Sequence, residues 1–335
     1  MEQKMRESLN QKCRLFIENR DVAKAAFSME NSYMHAICAS YFMNRGILAT
    51  VEDLKESKKI LKSRLNAFSS FRGTVELSIV AMLALEENKE KLVDDAVAVY
   101  SLLKKKFILS GEYLPVAAMM VAGAVHENRW EEVTERSRRI YDLMKKEHPF
   151  LTSSEDCVFA AMLAMSPRSD EELVREVEVC YNILKERFSD RNAVQSLSHV
   201  LVLADSDRGS VSDKCRDTIR LFDLLKEKKH KYGTGYELST MGVLATLPCG
   251  IEETVRDLIA VSDFLKAQKG YGFFGFDRAQ RMMHAGMIVV SEYIGSSATM
   301  ENAAVNSTIS VIAAQHAATC AAISVSLAAS TAARA

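Results

Sequence analysis

The sequence is poor in proline and glycine, with 4 prolines and 14 glycines among 335 residues. These two residue types are the most costly inside a helix, and strong helix formers such as Ala, Leu, Met, Glu and Lys are abundant. Charge of one sign is also lacking, because 43 basic and 44 acidic residues leave a net charge of −1. The composition therefore favours an all-α protein with no global attraction to nucleic acid or to an anionic membrane.

Cysteine pairs and secretion signals are equally absent. The seven cysteines are scattered and none forms a CxxC pair. The N-terminus shows no positively charged segment followed by an apolar stretch and a cleavage site. We therefore expect reduced thiols in a cytoplasmic protein.

Recognised catalytic and ligand-binding motifs are missing as well. There is no HExxH, no GxSxG and no GxxxxGK[ST] in the chain. The first would indicate a zinc site, the second a nucleophilic serine and the third a phosphate-binding loop. We predict no catalytic, metal or cofactor residue, and the sequence does not favour an enzyme.

One long segment carries no charge at all. Residues 302–333 are long enough to span a bilayer, but they consist mainly of Ala, Ser and Thr. The larger apolar residues, such as Val305, Ile309 and Ile312, form a single stripe at helical spacing. A one-sided stripe is typical of a helix packed on protein, so we predict a C-terminal cap and not a membrane span.

A short block recurs along the chain. It combines a first residue that is aromatic or small, apolar residues at the third and fourth positions and a final lysine, and its copies are 40 to 42 residues apart; the copy that begins at Lys58 is fainter. The copies are 58–62, 100–104, 141–145, 181–185, 222–226 and 262–266. A fixed period of this length indicates a helical repeat.

A second element, rich in Ala and Met, lies between successive blocks and predicts a helix that packs closely against its neighbours. Turn signals separate the two elements: Asn128 and Ser169 stand three residues before a glutamate, and Pro167 and Pro248 follow alanine-rich stretches. We predict an all-α fold of stacked antiparallel helical hairpins with a 40–42-residue repeat. The stack would be an α-solenoid or resemble an α/α-toroid.

The repeat predicts one domain over residues 1–335. An atypical first hairpin occupies 1–68 and five repeats occupy 69–275. Closing helices and the Ala/Ser-rich cap occupy 276–335. No Pro-, Gly- or Ser-rich linker divides the chain.

Lysines at the ends of the blocks form a recurring basic feature. Stacked repeats would align them along one edge, where they could contact a nucleic-acid backbone. Acids at the opposite helix ends and the absence of interleaved aromatics favour a simpler interpretation, in which the lysines offset the helix dipoles. A nucleic-acid partner is not expected.

The most unusual segment is Gly270-Tyr-Gly-Phe-Phe-Gly275, which is followed by Phe276 and Asp277. It is interpreted either as an aromatic plug or as a ligand-contacting loop. Three histidines on predicted small-residue helices could face a groove, although a core position is the simpler explanation. The candidate ligand-contacting residues are Tyr271, Phe273, Phe274, Asp277, Arg281, His284, His199 and His35.

The chain as a whole resembles an uncharacterised bacterial family of all-helical proteins, known mainly from Gram-positive species. The resemblance depends on the recurring blocks, on the glycine-aromatic segment running into Arg281-Met-Met-His-Ala-Gly286, and on the Ala/Ser-rich ending with Gln315. It implies no activity and no catalytic residues.

Two functions remain open. The first is a scaffold that binds a protein or peptide on a concave face lined by the small-residue helices. The second is an α/α-toroid-like small-molecule binder or enzyme, in which the same helices surround a central cavity. The sequence indicates no cofactor for either, and membrane attachment is not expected.

Overall fold

The protein is described here by a computed structural model covering residues 5–66, 69–73, 75–107, 113–204, 209–272 and 275–297. The predicted Ala/Ser-rich cap, with its uncharged run, lies outside the described residues. So do Phe273 and Phe274 of the glycine-aromatic segment.

Within these ranges the regular structure is helical and contains no strand, which confirms the all-α prediction. Fourteen α-helices are described, together with short 3₁₀ turns at Ser70–Arg72 and Glu127–Arg129. The α-helices are α1 (Glu7–Ala26), α2 (Ser32–Arg45), α3 (Val51–Arg64), α4 (Glu76–Ala84), α5 (Lys89–Lys106), α6 (Leu114–Ala124), α7 (Trp130–Glu147), α8 (Asp156–Ala164), α9 (Asp170–Leu184), α10 (Arg191–Leu203), α11 (Val211–Glu227), α12 (Leu238–Ala245), α13 (Ile251–Lys266) and α14 (Arg278–Ser297).

The described chain forms two compact units. One comprises residues 19–42 and 48–174, and so contains α3 to α8. The other comprises residues 5–18, 43–47 and 175–297, and contains α10 to α14 with the first part of α1. The glycine-aromatic segment belongs to this second unit.

Two kinds of helix alternate along the chain from α3 to α13. The small-residue helices (α4, α6, α8, α10 and α12) are short and largely buried; every residue of α8 and α12 is buried. The charged helices (α3, α5, α7, α9, α11 and α13) are longer and bury one face. In α7 the buried positions include Val133, Ser137, Ile140 and Met144, spaced by three and four residues. This spacing follows from 3.6 residues per turn with one apolar stripe.

The recurring blocks fall on charged helices, and several begin with an aromatic residue whose ring has a defined contact. Tyr141 packs edge-on against Phe107 at 5.3 Å between ring centroids, and Phe222 packs in the same way against Phe188 at 5.1 Å. Phe107 and Phe188 lie just after the preceding charged helices. In these two blocks the first, aromatic residue therefore packs its charged helix against the connection that follows the preceding charged helix.

Ion pairs link a charged helix, or the turn that follows it, to the next charged helix. We call the following five the ion-pair row: Arg64–Asp94, Lys106–Glu135, Arg136–Asp170, Arg187–Asp223 and Arg220–Glu252. Most are exposed at the surface, where such a pair contributes roughly 0–1 kcal/mol.

Of the two helix caps predicted from the sequence, the structure contains one. The amide of Glu172 donates to Ser169 Oγ at 3.2 Å, as expected. Asn128 does not cap α7, because it lies within the 3₁₀ turn and its side chain contacts His126 Nδ1 at 3.0 Å. The 3₁₀ turn moves the helix start to Trp130.

In the part of the chain that the structure describes, no helix is both long and apolar enough to cross a membrane.

Candidate functional site

The connection between α13 and α14 closes on itself through its glycines. Gly270 has φ of 92°, in the region that favours glycine, and its carbonyl accepts a hydrogen bond from the amide of Phe276 at 2.8 Å. A Cβ atom at position 275 would overlap the carbonyl of Gly270. Glycine is therefore required at both positions by the conformation of the backbone, and not because the connection must be flexible.

Two rings of this connection are anchored on a buried histidine. Tyr271 Oη and His284 Nδ1 share a hydrogen bond of 2.8 Å, and the Phe276 ring lies 4.6 Å from the His284 ring. Phe16 of α1 contacts the same histidine at 5.8 Å. Tyr271 and His284 are 3% and 1% exposed. These contacts fix the base of the connection.

An open cleft of about 450 Å³ lies above this base. It lies at the end of α13, along the connection and at the first turn of α14. Its lining residues are Lys266, Tyr271, Gly272, Gly275, Phe276, Asp277, Arg278 and Arg281.

Cations dominate the cleft. Lys266 and Arg278 are exposed and Arg281 is half-buried. Arg278 donates to the carbonyl of Lys229, and Arg281 Nε donates to Ser262 Oγ at 3.3 Å. Among the residues that the structure describes, none of the three cations forms an ion pair with a carboxylate.

The one carboxylate of the cleft has a structural role. Asp277 Oδ1 accepts the amide of Gln280 at 2.8 Å, and Gln280 Oε1 accepts the amide of Asp277 at 3.0 Å. This reciprocal pair caps the start of α14. Three cations against one carboxylate leave the cleft with a net charge of +2.

The cleft brings together three of the sequence-predicted candidates, Tyr271, Asp277 and Arg281, with His284 directly behind Tyr271. Two other candidates, Phe273 and Phe274, are outside the described residues. His199 lies on α10 and is fully buried.

His35 belongs to the other compact unit. It lies on α2, is 3% exposed, and its Nε2 contacts the carbonyl of Phe27 at 2.9 Å. Burial lowers the pKa of this imidazole, which favours its neutral form. These contacts are those of a core histidine.

Sequence reasoning placed Lys266 in the row of block lysines and not in the site. A signal was present, since Lys266 is the last residue of α13 and lies four residues before the glycine-aromatic segment. Within the described ranges, no group of three or more His, Cys, Asp or Glu side chains is placed to hold a metal ion.

Comparison with known proteins identifies a family and a curated relative. Residues 19–317 match the model of a family described as "Protein of unknown function (DUF4003)". The chain is 22% identical over 275 residues to "Uncharacterized protein YeaA" of Bacillus subtilis (strain 168), covering 81% of this chain and 80% of that protein. No solved structure matches the chain. The predicted resemblance to an uncharacterised bacterial family is confirmed.

Proposed function

The chain belongs to the family of proteins of unknown function (DUF4003), and we propose that it binds a small anionic molecule in the cleft between α13 and α14. The observation that carries the proposal is the convergence of Lys266, Arg278 and Arg281 on one cleft without a carboxylate partner. Elsewhere in the described chain most arginines have such a partner, so unpaired cations gathered at a concave surface are available to a ligand.

The size and rigidity of the cleft support the same function. Small-molecule sites usually measure about 300–1,000 Å³, a range that includes this cleft. Arg278 and Arg281 are each held by a hydrogen bond to the protein, so a ligand would not have to bear the full entropy of ordering them. Charge-assisted hydrogen bonds from arginine are about twice as strong as neutral ones.

Titration calorimetry of the full chain with small anions tests this function. Phosphate, sulfate and malonate serve as probes at low ionic strength. We expect at least one to bind in the micromolar to millimolar range, and Arg281→Gln to weaken it by about tenfold through loss of charge-assisted hydrogen bonds.

Lys269→Gln is the matched control. Lys269 is an exposed cation three residues beyond Lys266 and does not line the cleft. Its replacement should leave binding unchanged. Absence of binding by all three anions, or equal losses in both variants, would contradict the proposal.

The repeat architecture is a second part of the proposal. We infer that the helices from α3 to α13 form successive hairpins with a 40–42-residue period. The regular placement of the blocks on charged helices and the ion-pair row support this arrangement. The predicted single domain and cytoplasmic location also remain proposals; the described cysteines, all free thiols, agree with the location.

A scaffold that binds a protein or peptide has less support. That prediction requires the small-residue helices to line an open face, but α8 and α12 are buried over their whole length. Affinity capture from native cytosol distinguishes the two functions. A protein that co-purifies with the wild type and with Arg281→Gln equally would favour the scaffold.

A further inference from the structure

We propose that the group recognised in the cleft is a doubly charged phosphoryl group, either on a small phosphate monoester or as free phosphate. This inference depends on the anion-binding function proposed above and specifies its ligand class. It is drawn from the charge of the cleft, the placement of its donors and the position of the one carboxylate.

Charge balance favours a dianion over a monoanion. The cleft carries a net charge of +2, with cations from α13 and α14 opposed only by Asp277. A phosphate monoester carries a charge of about −1.5 to −2 at pH 7, which matches this value. A single carboxylate would leave about one positive charge uncompensated.

The donors lie on two different helices. Lys266 is the last residue of α13, whereas Arg278 and Arg281 lie on the first turn of α14. Arg278 is also tied to Lys229, 49 residues earlier in the chain. Three donors on two helices suit three phosphoryl oxygens, whereas a carboxylate offers two oxygens in one plane.

The start of α14 adds to this preference. The positive end of a helix dipole favours a phosphate group, and α14 is 20 residues long. Asp277 acts in the opposite direction because its carboxylate lies in the same cleft. Asp277 Oδ1 accepts a hydrogen bond from the amide of Gln280, so the carboxylate stabilises the start of the helix. Its negative charge at the same time reduces the affinity of the cleft for phosphate.

Other titratable groups face the cleft or its base. They are Lys266, Arg278, Arg281, Asp277, Tyr271 with His284 behind it, and Glu237, which interacts electrostatically with Asp277. A pH test must separate their titration from that of the ligand. Sulfate provides this control because its charge stays at −2 at both pH values used.

The decisive experiment is calorimetric titration of the full chain with phenyl phosphate, inorganic phosphate, sulfate and malonate at pH 8 and pH 5. The second pKa of a phosphate monoester is about 6, so its dianionic fraction falls by about tenfold between these pH values. We expect phenyl phosphate to bind about tenfold more weakly at pH 5 and sulfate to bind equally at both. Malonate should bind more weakly than either phosphate at pH 8.

Variants test the same inference independently of pH. Asp277→Asn retains a side chain that can cap α14 and removes the opposing charge, so phosphate should bind about threefold more tightly. Lys266→Gln should weaken binding by about tenfold and Lys269→Gln should not. Lys266 is exposed, so its replacement tests the site independently of the half-buried Arg281.

Each outcome has one meaning. Phenyl phosphate binding that follows sulfate in its pH dependence, or malonate binding as tightly as phosphate, would overturn the phosphoryl assignment while keeping an anion site. Failure of all four anions to bind would overturn the proposed function itself. Tighter binding of phenyl phosphate than of inorganic phosphate assigns a monoester, and the reverse order assigns free phosphate.

Discussion

The cations of the ion-pair row and those of the cleft form two contrasting groups. In the row each arginine or lysine faces a carboxylate on another charged helix, as Arg136 faces Asp170 and Lys106 faces Glu135. In the cleft Lys266, Arg278 and Arg281 have no such partner among the described residues. Both groups include cations at the end of a charged helix, such as Arg64 and Lys106 in the row and Lys266 in the cleft. The difference lies in whether the fold supplies an opposite charge, and it separates cations with a structural role from cations available to a ligand.

The sharpest test of this contrast removes the most enclosed cation of the row. Arg136 donates from Nε to Asp170 at 2.5 Å and caps the end of α8 through the carbonyls of Ala164, Ser166 and Arg168. Arg136→Met should destabilise the protein by about 2 kcal/mol, because it leaves several carbonyls without their donor and leaves the half-buried carboxylate of Asp170 paired with Arg139 alone. Urea denaturation measures the loss.

Arg139→Met is the control for that measurement. Arg139 pairs with the other oxygen of Asp170 at 3.2 Å, but its side chain is 59% exposed. We expect a loss below about 0.5 kcal/mol. Equal losses of stability for the two variants would show that the burial of an arginine does not determine how much its ion pair stabilises the protein.

A buried carboxyl provides a second test, through pH. Burial raises the pKa of Asp156 to about 7 from 3.8, although the amide of Ser153 donates to it at 2.8 Å and Lys145 acts in the opposite direction. Its folded pKa lies above the unfolded value, so stability is lost as pH rises from about 4 through about 7. Asp156→Asn should stabilise the protein by about 2 kcal/mol at pH 8 and have little effect at pH 4, as measured by thermal unfolding.

The partly exposed Asp213 should respond with the opposite sign. Hydrogen bonds from Ser210 lower its pKa, so its contribution is present above about pH 4 and is lost on acidification. Asp213→Asn should therefore destabilise the protein at pH 8. A gain in stability for both variants at pH 8 would contradict the assignment of the Asp156 effect to burial.

The support of the cleft can be examined at Lys229, whose carbonyl holds Arg278. Lys229 has φ of 63° and follows α11 in a helix-ending motif, where the amide of His230 donates to the carbonyl of Leu225 at 2.8 Å. Lys229→Gly should stabilise the fold by about 1 kcal/mol because glycine adopts this conformation without strain. Phosphate binding should persist, since the carbonyl remains. Lys228→Gly, with φ of −77°, should bring no gain.

The smallest effect is expected in the cleft itself. Lys266→Gln and Arg281→Gln should each change the free energy of unfolding by less than about 0.5 kcal/mol, because neither cation has a carboxylate partner. Denaturation without added anions measures this. A loss of stability comparable to that of Arg136→Met would show that the cleft cations stabilise the fold as the cations of the ion-pair row do.

Prediction from sequence succeeded where the signal is local. The structure contains the periodic apolar positions of α7 and the capping pair Ser169–Glu172. Each of these features depends only on residues that lie close together in the sequence. The Asn128 cap failed because a 3₁₀ turn competes for the same residues. Asp277 and Arg281 were selected because they follow an unusual segment, whereas Lys266 was not, since it resembles every other block lysine.

The sequence by itself determined that the described part of this chain is helical and that its helices carry apolar stripes, because these properties follow from composition and from spacing along a helix. The tertiary structure decided which cations find a carboxylate and which do not. That outcome depends on contacts such as Arg278 with Lys229 and Tyr271 with His284, which join residues 49 and 13 positions apart. Packing between helices sets those distances, and no local pattern encodes them.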